Sequence, residues 1–272
     1  MENNVSSKFF TPHPELQPYI ESYLFYELKF SDSVIPPLSI YPVARTEMSF
    51  VLDEHHTFHE VGLDKTDSYP LCFVGLLDHG RHFDVFPKKL VMVMFKPYGA
   101  FKLFGIPQRY FSNQATDVRL LFPEINSLTE QLREVAKEPA AVVASLEGWL
   151  LKRLLASEKT DVNSVVYACE QIQKSQGLVR IAELSKRVGM SETNLGVQFR
   201  EKVGFSAKAF SRIVRFNSVN SFLTKNNAID WQELVYKFDF FDQNHFIKEF
   251  KRFYGCTPSQ WHSKGSYLDT EP

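Results

Sequence analysis

Five histidines crowd into one stretch of the N-terminal half and come closest to a metal-ligand pattern in this chain: His55, His56, His59, His79 and His82. Neutral imidazole is a common ligand of zinc and other transition metals. Within each pair three residues apart, such as His79 and His82, a strand points the two side chains to opposite faces. We therefore expect no metal and no cofactor, and we predict solvent-facing histidines on loops.

A sixteen-residue segment recurs 51 positions later in the chain, first as residues 191–206 (SETNLGVQFREKVGFS) and then as residues 242–257 (DQNHFIKEFKRFYGCT). Ser191 and Asp242 are suited to begin helices, because their side-chain oxygens accept the unpaired amide hydrogens of a first turn. Gly204 and Gly255 stand where the chain must leave the helix through a left-handed residue. Each copy therefore predicts one helix with a defined start and end.

Each predicted helix has an apolar and a polar face. Leu195 with Phe199, and Phe246 with Phe250, lie four residues apart and present one apolar edge to a core. At about 100° per residue, the opposite edge carries small, polar and basic side chains. These are the predicted DNA-contacting residues: Thr193, Asn194, Gly196, Val197, Arg200, Gln243, Asn244, His245, Lys248 and Lys251.

Their chemistry suits the edges of base pairs. Gln243 and Asn244 can pair with adenine in a bidentate manner, Lys248 can reach guanine or phosphate, and Val197 can contact a thymine methyl group. An outward valine is otherwise an accident of surface composition. A solvated helix face remains the alternative for the polar residues.

Charge favours a polyanionic partner for the C-terminal part. Up to Lys159 the chain has 16 Lys and Arg against 20 Asp and Glu, and after it 15 against 12. Arg200 and Lys251 are expected to contact phosphates, which position a protein without reading sequence. The second helix is the more basic of the two, and Arg252 adds to its outer face.

A shorter helix is predicted before each copy. Residues 181–188 lead through Gly189 into the first, and residues 231–238 lead through Asp239 into the second. Asp230 can cap the latter. Helix, tight turn and helix is the unit that places its second helix in a major groove.

These residues resemble the AraC family of bacterial transcription regulators. Residues 240–261 carry the signature, and Arg215 with residues 222–223 is similar to the helix that links two such units in that family. The resemblance covers about residues 165–261. It implies a regulator of transcription that binds double-stranded DNA, an activator role, and RNA polymerase as a partner. Asp239 replaces the usual turn glycine, and Ser185 and Val235 replace preferred alanines, which puts local helix packing in question.

The N-terminal half predicts an antiparallel barrel or sandwich. Its strands are expected at residues 23–30, 46–52, 69–77, 81–86 and 90–95, which are rich in Phe, Tyr and Val. After them, helices are predicted around Leu128 to Val135 and from Pro139 onward. The apolar stripe from Val142 to Leu154 fits packing on the sheet and a subunit interface equally well.

Segments such as PHPELQPY at residues 12–19 and FKPYGA at residues 95–100 resemble a domain of unknown role found ahead of AraC-type units. That resemblance implies a domain that binds a small-molecule effector, forms a homodimer, or both. The alternative is a metal-dependent, cupin-like enzyme domain fused to a DNA-binding module. Stoichiometric metal in the purified protein would favour that alternative.

The predicted class is therefore α+β, with two domains. Residues 1–157 form a cupin-like barrel with flanking helices, and residues 164–263 form an all-helical double helix-turn-helix domain. The start has no secretory-leader pattern, and the longest apolar run, residues 90–95, is far too short to span a membrane. Three isolated cysteines suit the reducing cytoplasm. We predict a cytoplasmic regulator that is not an enzyme.

Overall fold

The computed structural model describes residues 5–28, 38–53, 59–61, 71–85, 87–117, 119, 121–157, 159–226 and 228–264. Its strands are β1 (Val5–Phe10), β2 (Ile20–Leu28), β3 (Leu38–Ile40), β4 (Thr46–Val51), β5 (His59–Glu60), β6 (Leu71–Val74), β7 (Arg81–Val85), β8 (Lys89–Phe95) and β9 (Ala115–Asp117). Its helices are α1 (Gly99–Phe104), α2 (Ile125–Glu134), α3 (Pro139–Ala156), α4 (Asn163–Lys174), α5 (Ile181–Arg187), α6 (Glu192–Lys202), α7 (Ala207–Lys225), α8 (Trp231–Lys237), α9 (Gln243–Tyr254) and α10 (Pro258–Lys264).

The strands form two antiparallel sheets. One has six strands in the order β1-β2-β8-β4-β6-β9, and the other has three in the order β3-β7-β5. The predicted α+β class, with an antiparallel N-terminal sheet and flanking helices, is confirmed. Within the described ranges β1 and β9 lie on opposite edges of the larger sheet, so the predicted barrel is not closed there.

The central strands are buried on both faces, and their alternating side chains fill two separate cores. Phe50, Val93 and Phe95 point to the side covered by α1, α2 and α3. Their neighbours in sequence, such as Val51 and Met94, point to the side covered by the small sheet. A strand's period of two residues produces this division.

Helix α3 packs on its own sheet. Val142, Val143, Leu146 and Leu150 are buried in the core beneath the six-stranded sheet. Full burial of one such side chain stabilises the fold by about 1.5–3 kcal/mol. The apolar stripe is therefore explained within one chain.

The helical half contains two further cores, and the first of them is shared with the N-terminal half. Leu76, Tyr98 and Phe101 are buried together with residues of α4 and α6, including Val165 and Leu195. The second surrounds Phe216 of α7, where Phe246, Phe250 and Phe253 of α9 meet it.

The polar segment that joins the two predicted domains, around residues 157–163, is held from both sides. The ammonium group of Lys102 donates to the carbonyl oxygens of Ser157 and Thr160, at 3.0 and 2.8 Å. Lys202, at the end of α6, donates to the carbonyl oxygen of Asp161 at 2.6 Å. The segment predicted as the boundary is thus fastened to α1 and to α6.

Candidate nucleic-acid interface

The first helix-turn-helix unit consists of α5 and α6. Gly189 turns the chain between them with a φ of 69°. The Ser191 side chain accepts a hydrogen bond from the amide of Asn194 at 3.2 Å, which confirms it as the cap of α6. The chain leaves α6 through Gly204, which has a φ of 105°. The buried Ser185 hydroxyl donates to the carbonyl of Ala182, so this departure from alanine leaves no unpaired polar group.

The second unit repeats this construction with α8 and α9. Asp230 caps α8 by accepting from the amides of Gln232 and Glu233. Asp239 makes the turn with a φ of 52°, as expected for a residue that replaces glycine in the left-handed region. The Asp242 carboxylate accepts from the amide of His245 at 2.7 Å, and α9 ends at left-handed Gly255.

Replacing Asp242 with alanine should lower the free energy of unfolding by about 1 kcal/mol, because the first turn of α9 loses an acceptor for an unpaired amide. Urea denaturation of the full chain measures this loss. Asp242→Asn keeps a side-chain oxygen at the same place and should cost much less. Equal losses in the two variants would show that the cap does not stabilise α9.

The predicted faces of α6 are observed. Leu195 and Phe199 are fully buried, so the apolar edge faces the core. The polar edge points outward: Thr193, Asn194, Val197 and Arg200 are exposed, and Gly196 is half-buried between the faces. The Val197 side chain is 50% exposed, so its methyl groups are accessible to a partner on this face.

Helix α9 has the same division and a stronger charge. Phe246 and Phe250 are fully buried. The exposed face holds all five predicted residues, namely Gln243, Asn244, His245, Lys248 and Lys251. Glu249 is half-buried and pairs with Arg212 of α7 at 2.7 Å. The acidic residue of α9 is therefore turned toward the linking helix, and the outer face remains basic.

Helix α7 connects the two units. Its 19 residues correspond to a length of about 28 Å at 1.5 Å per residue. Arg215, near its middle, donates to the carbonyls of Gly177 before the first unit and of Asp239 inside the second, both at 3.4 Å. Burial lowers the pKa of Arg215, although the neighbouring Asp239 opposes that shift. One side chain thus ties the second unit, and the loop that precedes the first unit, to the linking helix.

A close contact also holds the loop before the first unit against this helix. Gly177 has a φ of 78°, and a Cβ added there would lie 2.2 Å from the carbonyl oxygen of Ser211. Only a residue without a side chain permits this approach.

Sequence reasoning missed two exposed aromatic residues of the second unit. Tyr236 on α8 and Phe241, just before the cap of α9, are 89% and 91% exposed. The signal was available for Tyr236, since it follows buried Leu234 by two residues and therefore falls on the opposite side of the helix.

The histidines do not form a metal site in the part of the chain described. No group of three potential ligands from His, Cys, Asp or Glu occurs among those residues. His79 and His82 are exposed, although His82 lies on strand β7 and not on a loop, and a ring nitrogen of each pairs with a neighbour, Asp78 and Ser39 respectively. His59 corrects our prediction of an exposed loop histidine, because it lies on β5 and is buried where this strand pairs with β7. His55 and His56 lie outside the described residues.

Cys72, Cys169 and Cys256 are free thiols. Burial raises the pKa of Cys72 to about 12 and raises that of Cys169 as well. Among the described residues, no helix is both long and apolar enough to cross a membrane.

Family models match both halves of the chain. Residues 184–264 match a family described as a helix-turn-helix domain, and residues 8–117 match a domain of unknown function, DUF6597. The Msm operon regulatory protein of Streptococcus mutans is 26% identical over 161 residues, which are 58% of this chain and 56% of that protein. The chain thus spans about half the length of this curated relative.

Solved structures are more distant. ToxT from Vibrio cholerae O395 aligns with 98% of this chain and 100% of its own, at 9% identity and a TM-score of 0.46. The C-terminal domain of AraT, a response regulator from Geobacillus stearothermophilus, covers 41% of this chain and 93% of its own, at 18% identity and a TM-score of 0.36. The helix-turn-helix match on residues 184–264 includes all of α6 and the whole second unit.

Proposed function

From the AraC-type helix-turn-helix domain that occupies the C-terminal part of this chain, we infer that the protein is a sequence-specific, DNA-binding regulator of transcription. One observation carries this function. Two copies of a capped helix-turn-helix unit, joined by one helix, both expose polar second helices with buried apolar edges. A surface built twice in this way suits two contacts with one ligand that itself repeats, such as duplex DNA.

Helices α6 and α9 are the proposed recognition helices. Thr193, Asn194, Gly196 and Val197 read bases from α6, and Arg200 binds phosphate. On α9, Gln243, Asn244 and His245 lie in the first turn, which enters the groove first, and Lys248 and Lys251 follow along the exposed face. Because α9 carries the greater positive charge, we assign most of the phosphate contacts to it.

Selection of binding sites from random duplex DNA with the full chain tests this function. We expect an enriched site and a footprint with two contacted stretches about 10 base pairs apart, because successive major grooves on one side of B-DNA have that spacing. Affinity should fall steeply with salt as cations on the protein release counterions from phosphates. Failure to enrich any sequence, together with binding that salt does not change, would contradict the proposal.

The N-terminal half, residues 1–157, is proposed as a separate domain that senses a small-molecule effector, pairs two chains, or does both, and residues 164–263 as the DNA-binding domain. A regulator that acts by binding DNA needs no catalysis of its own, so we assign the protein no enzymatic activity. Ligand screening by thermal unfolding separates the roles, since an effector at 100 times its dissociation constant stabilises the chain by about 2.7 kcal/mol. Dimerisation without any such ligand would leave only the pairing role.

Activation of transcription in the cytoplasm completes the proposal. A regulator of this kind bound beside a promoter is expected to contact RNA polymerase. Transcription in vitro from a template carrying the selected site, with and without the protein, measures whether the amount of transcript rises. A fall instead would make the protein a repressor.

A further inference from the structure

An ion pair links the N-terminal half to the second recognition helix. Asp78, in the loop between β6 and β7, lies 3.1 Å from the guanidinium of Arg252 in the last turn of α9. These residues are 174 positions apart in the chain. The Arg252 side chain is 54% exposed and that of Asp78 only 23%, so the arginine extends from the helix surface to a more enclosed carboxylate.

The Asp78 loop is held in place. The Asn113 side-chain oxygen accepts from the amide of Asp78 at 2.9 Å, and the Asn113 amide donates to the carbonyl of Leu76, also at 2.9 Å. Arg81 donates to the carbonyl of Asn113. The loop therefore presents the carboxylate from a fixed position.

Contacts around this pair keep the carboxylate charged. One oxygen of Asp78 lies 2.9 Å from Nδ1 of His79, and the other faces Arg252. Burial raises the pKa of Asp78, but the contacts with His79, Arg252 and Asn113 outweigh it and hold the pKa below its usual value. Nearby, the ring centroid of Tyr41 lies 5.5 Å from that of Tyr254 on α9 and 4.7 Å from that of Trp261 on α10, so the N-terminal half also contacts the end of α9 through an aromatic ring.

Arg252 belongs to the exposed face of α9. It follows Lys248 by four residues, so the two side chains are about 40° apart around the helix axis at 100° per residue. Lys251 is exposed next to it. The three cations form one basic surface, and of these Arg252 is the one whose partner comes from the N-terminal half.

We propose that Arg252 is a phosphate-binding residue of the DNA interface and that Asp78 is its intramolecular competitor. This inference rests on the proposed function. A guanidinium engaged by a carboxylate must exchange that partner before it can bind a phosphate. Through this pair the N-terminal half weakens DNA binding, and a displacement of the Asp78 loop strengthens it.

The test is a salt titration of the full chain against its selected site. Asp78→Asn should raise affinity about 3- to 10-fold near 0.1 M salt and steepen the logarithmic salt slope by about one unit, as one additional phosphate contact does. Asp78→Glu keeps the competing charge and should bind like the wild type. Glu134→Gln changes the same charge at an exposed position of α2 and should have no effect.

A double variant isolates the competition from general repulsion. In the Arg252→Gln background, Asp78→Asn should no longer raise affinity or steepen the slope, because no guanidinium remains to be released. If Asp78→Asn unfolds the chain, as judged by circular dichroism, Asp78→Ser replaces it in every comparison.

Two results would overturn the inference: a neutral Asp78→Asn variant that binds like the wild type, or a gain that persists without Arg252. Absence of salt-dependent binding in the wild type and in every variant would instead remove the proposed function itself. The two failures are therefore distinguishable in the same experiment.

Discussion

Replacing Phe250 with alanine should disrupt the second helix-turn-helix unit and lower the free energy of unfolding by about 3–5 kcal/mol, the usual loss for a large aromatic side chain in a core. Phe250 is fully buried, and its ring lies 5.7 Å from that of Phe246, 4.5 Å from that of Tyr254 and 6.3 Å from that of Phe216 on α7. Because a typical domain is stable by only about 5–15 kcal/mol, this loss is a large part of the total.

Phe241 provides the matched control. It undergoes the same chemical change in Phe241→Ala, but its side chain is 91% exposed, so the expected loss is below about 0.5 kcal/mol. Urea denaturation followed by circular dichroism measures both variants. Equal losses for the two phenylalanines would mean that α9 does not present Phe250 to the core.

The Phe250 variant should also lose DNA binding, because α9 can expose its cations correctly only when its apolar edge is anchored. Binding that survived a loss of 3 kcal/mol or more would indicate that the first unit suffices for DNA recognition.

The helix-turn-helix region could be predicted closely from the sequence because its signals are local. The caps at Ser191 and Asp242 lie within three residues of the amides that they satisfy. The left-handed turns at Gly204, Asp239 and Gly255 require residues that tolerate positive φ, and the sequence provides them. Because the segment is repeated, each cap and each closing glycine occurs at the same place in both copies.

The N-terminal half was harder to predict because its architecture depends on contacts between distant residues. The main strands β2, β4, β6, β7 and β8 lie near their predicted positions, but the six-residue strand β1 and the much shorter strands β3, β5 and β9 were missed. A strand of two or three residues has too few positions to show an alternating pattern. Closure of a barrel depends on which strands occupy the edges, and the sequence contains no local sign of that.

Two features of the packing depend on the folded chain and not on any local pattern. The stripe on α3 has the same period whether it covers the chain's own sheet or another subunit, and only the burial of Leu146 and Leu150 decides between these choices. The contact between Asp78 and Arg252 joins segments that are 174 residues apart in the chain. In the sequence alone, each of these residues looks like an ordinary charged surface residue. Interactions of this kind are therefore the least predictable part of the candidate site.

Replacing Lys248 and Lys251 together with alanine should weaken DNA binding about 10- to 100-fold near 0.1 M salt and reduce the salt slope by about two units. Each lysine is exposed on α9, and each phosphate contact that is lost removes about one unit of slope. Lys251→Ala alone should reduce the salt slope by about one unit. It should weaken binding to selected and to random DNA to the same extent, since phosphate contacts do not depend on sequence.

Val197→Ala on α6 serves as the comparison, because it removes an apolar contact with a base and no contact with a phosphate. It removes one small apolar contact, so it should cost up to about 1 kcal/mol on the selected site only and leave the salt slope unchanged. Fluorescence anisotropy titrations against selected and random DNA at several salt concentrations measure all these quantities. Two results would contradict this division of roles between α6 and α9. One is a salt slope that the double lysine change leaves unaffected, and the other is a Val197→Ala variant whose binding to selected and to random DNA is weakened to the same extent. Loss of slope from the lysines with sequence-specific loss from Val197 would instead show that phosphate binding is concentrated on α9 and that α6 reads bases.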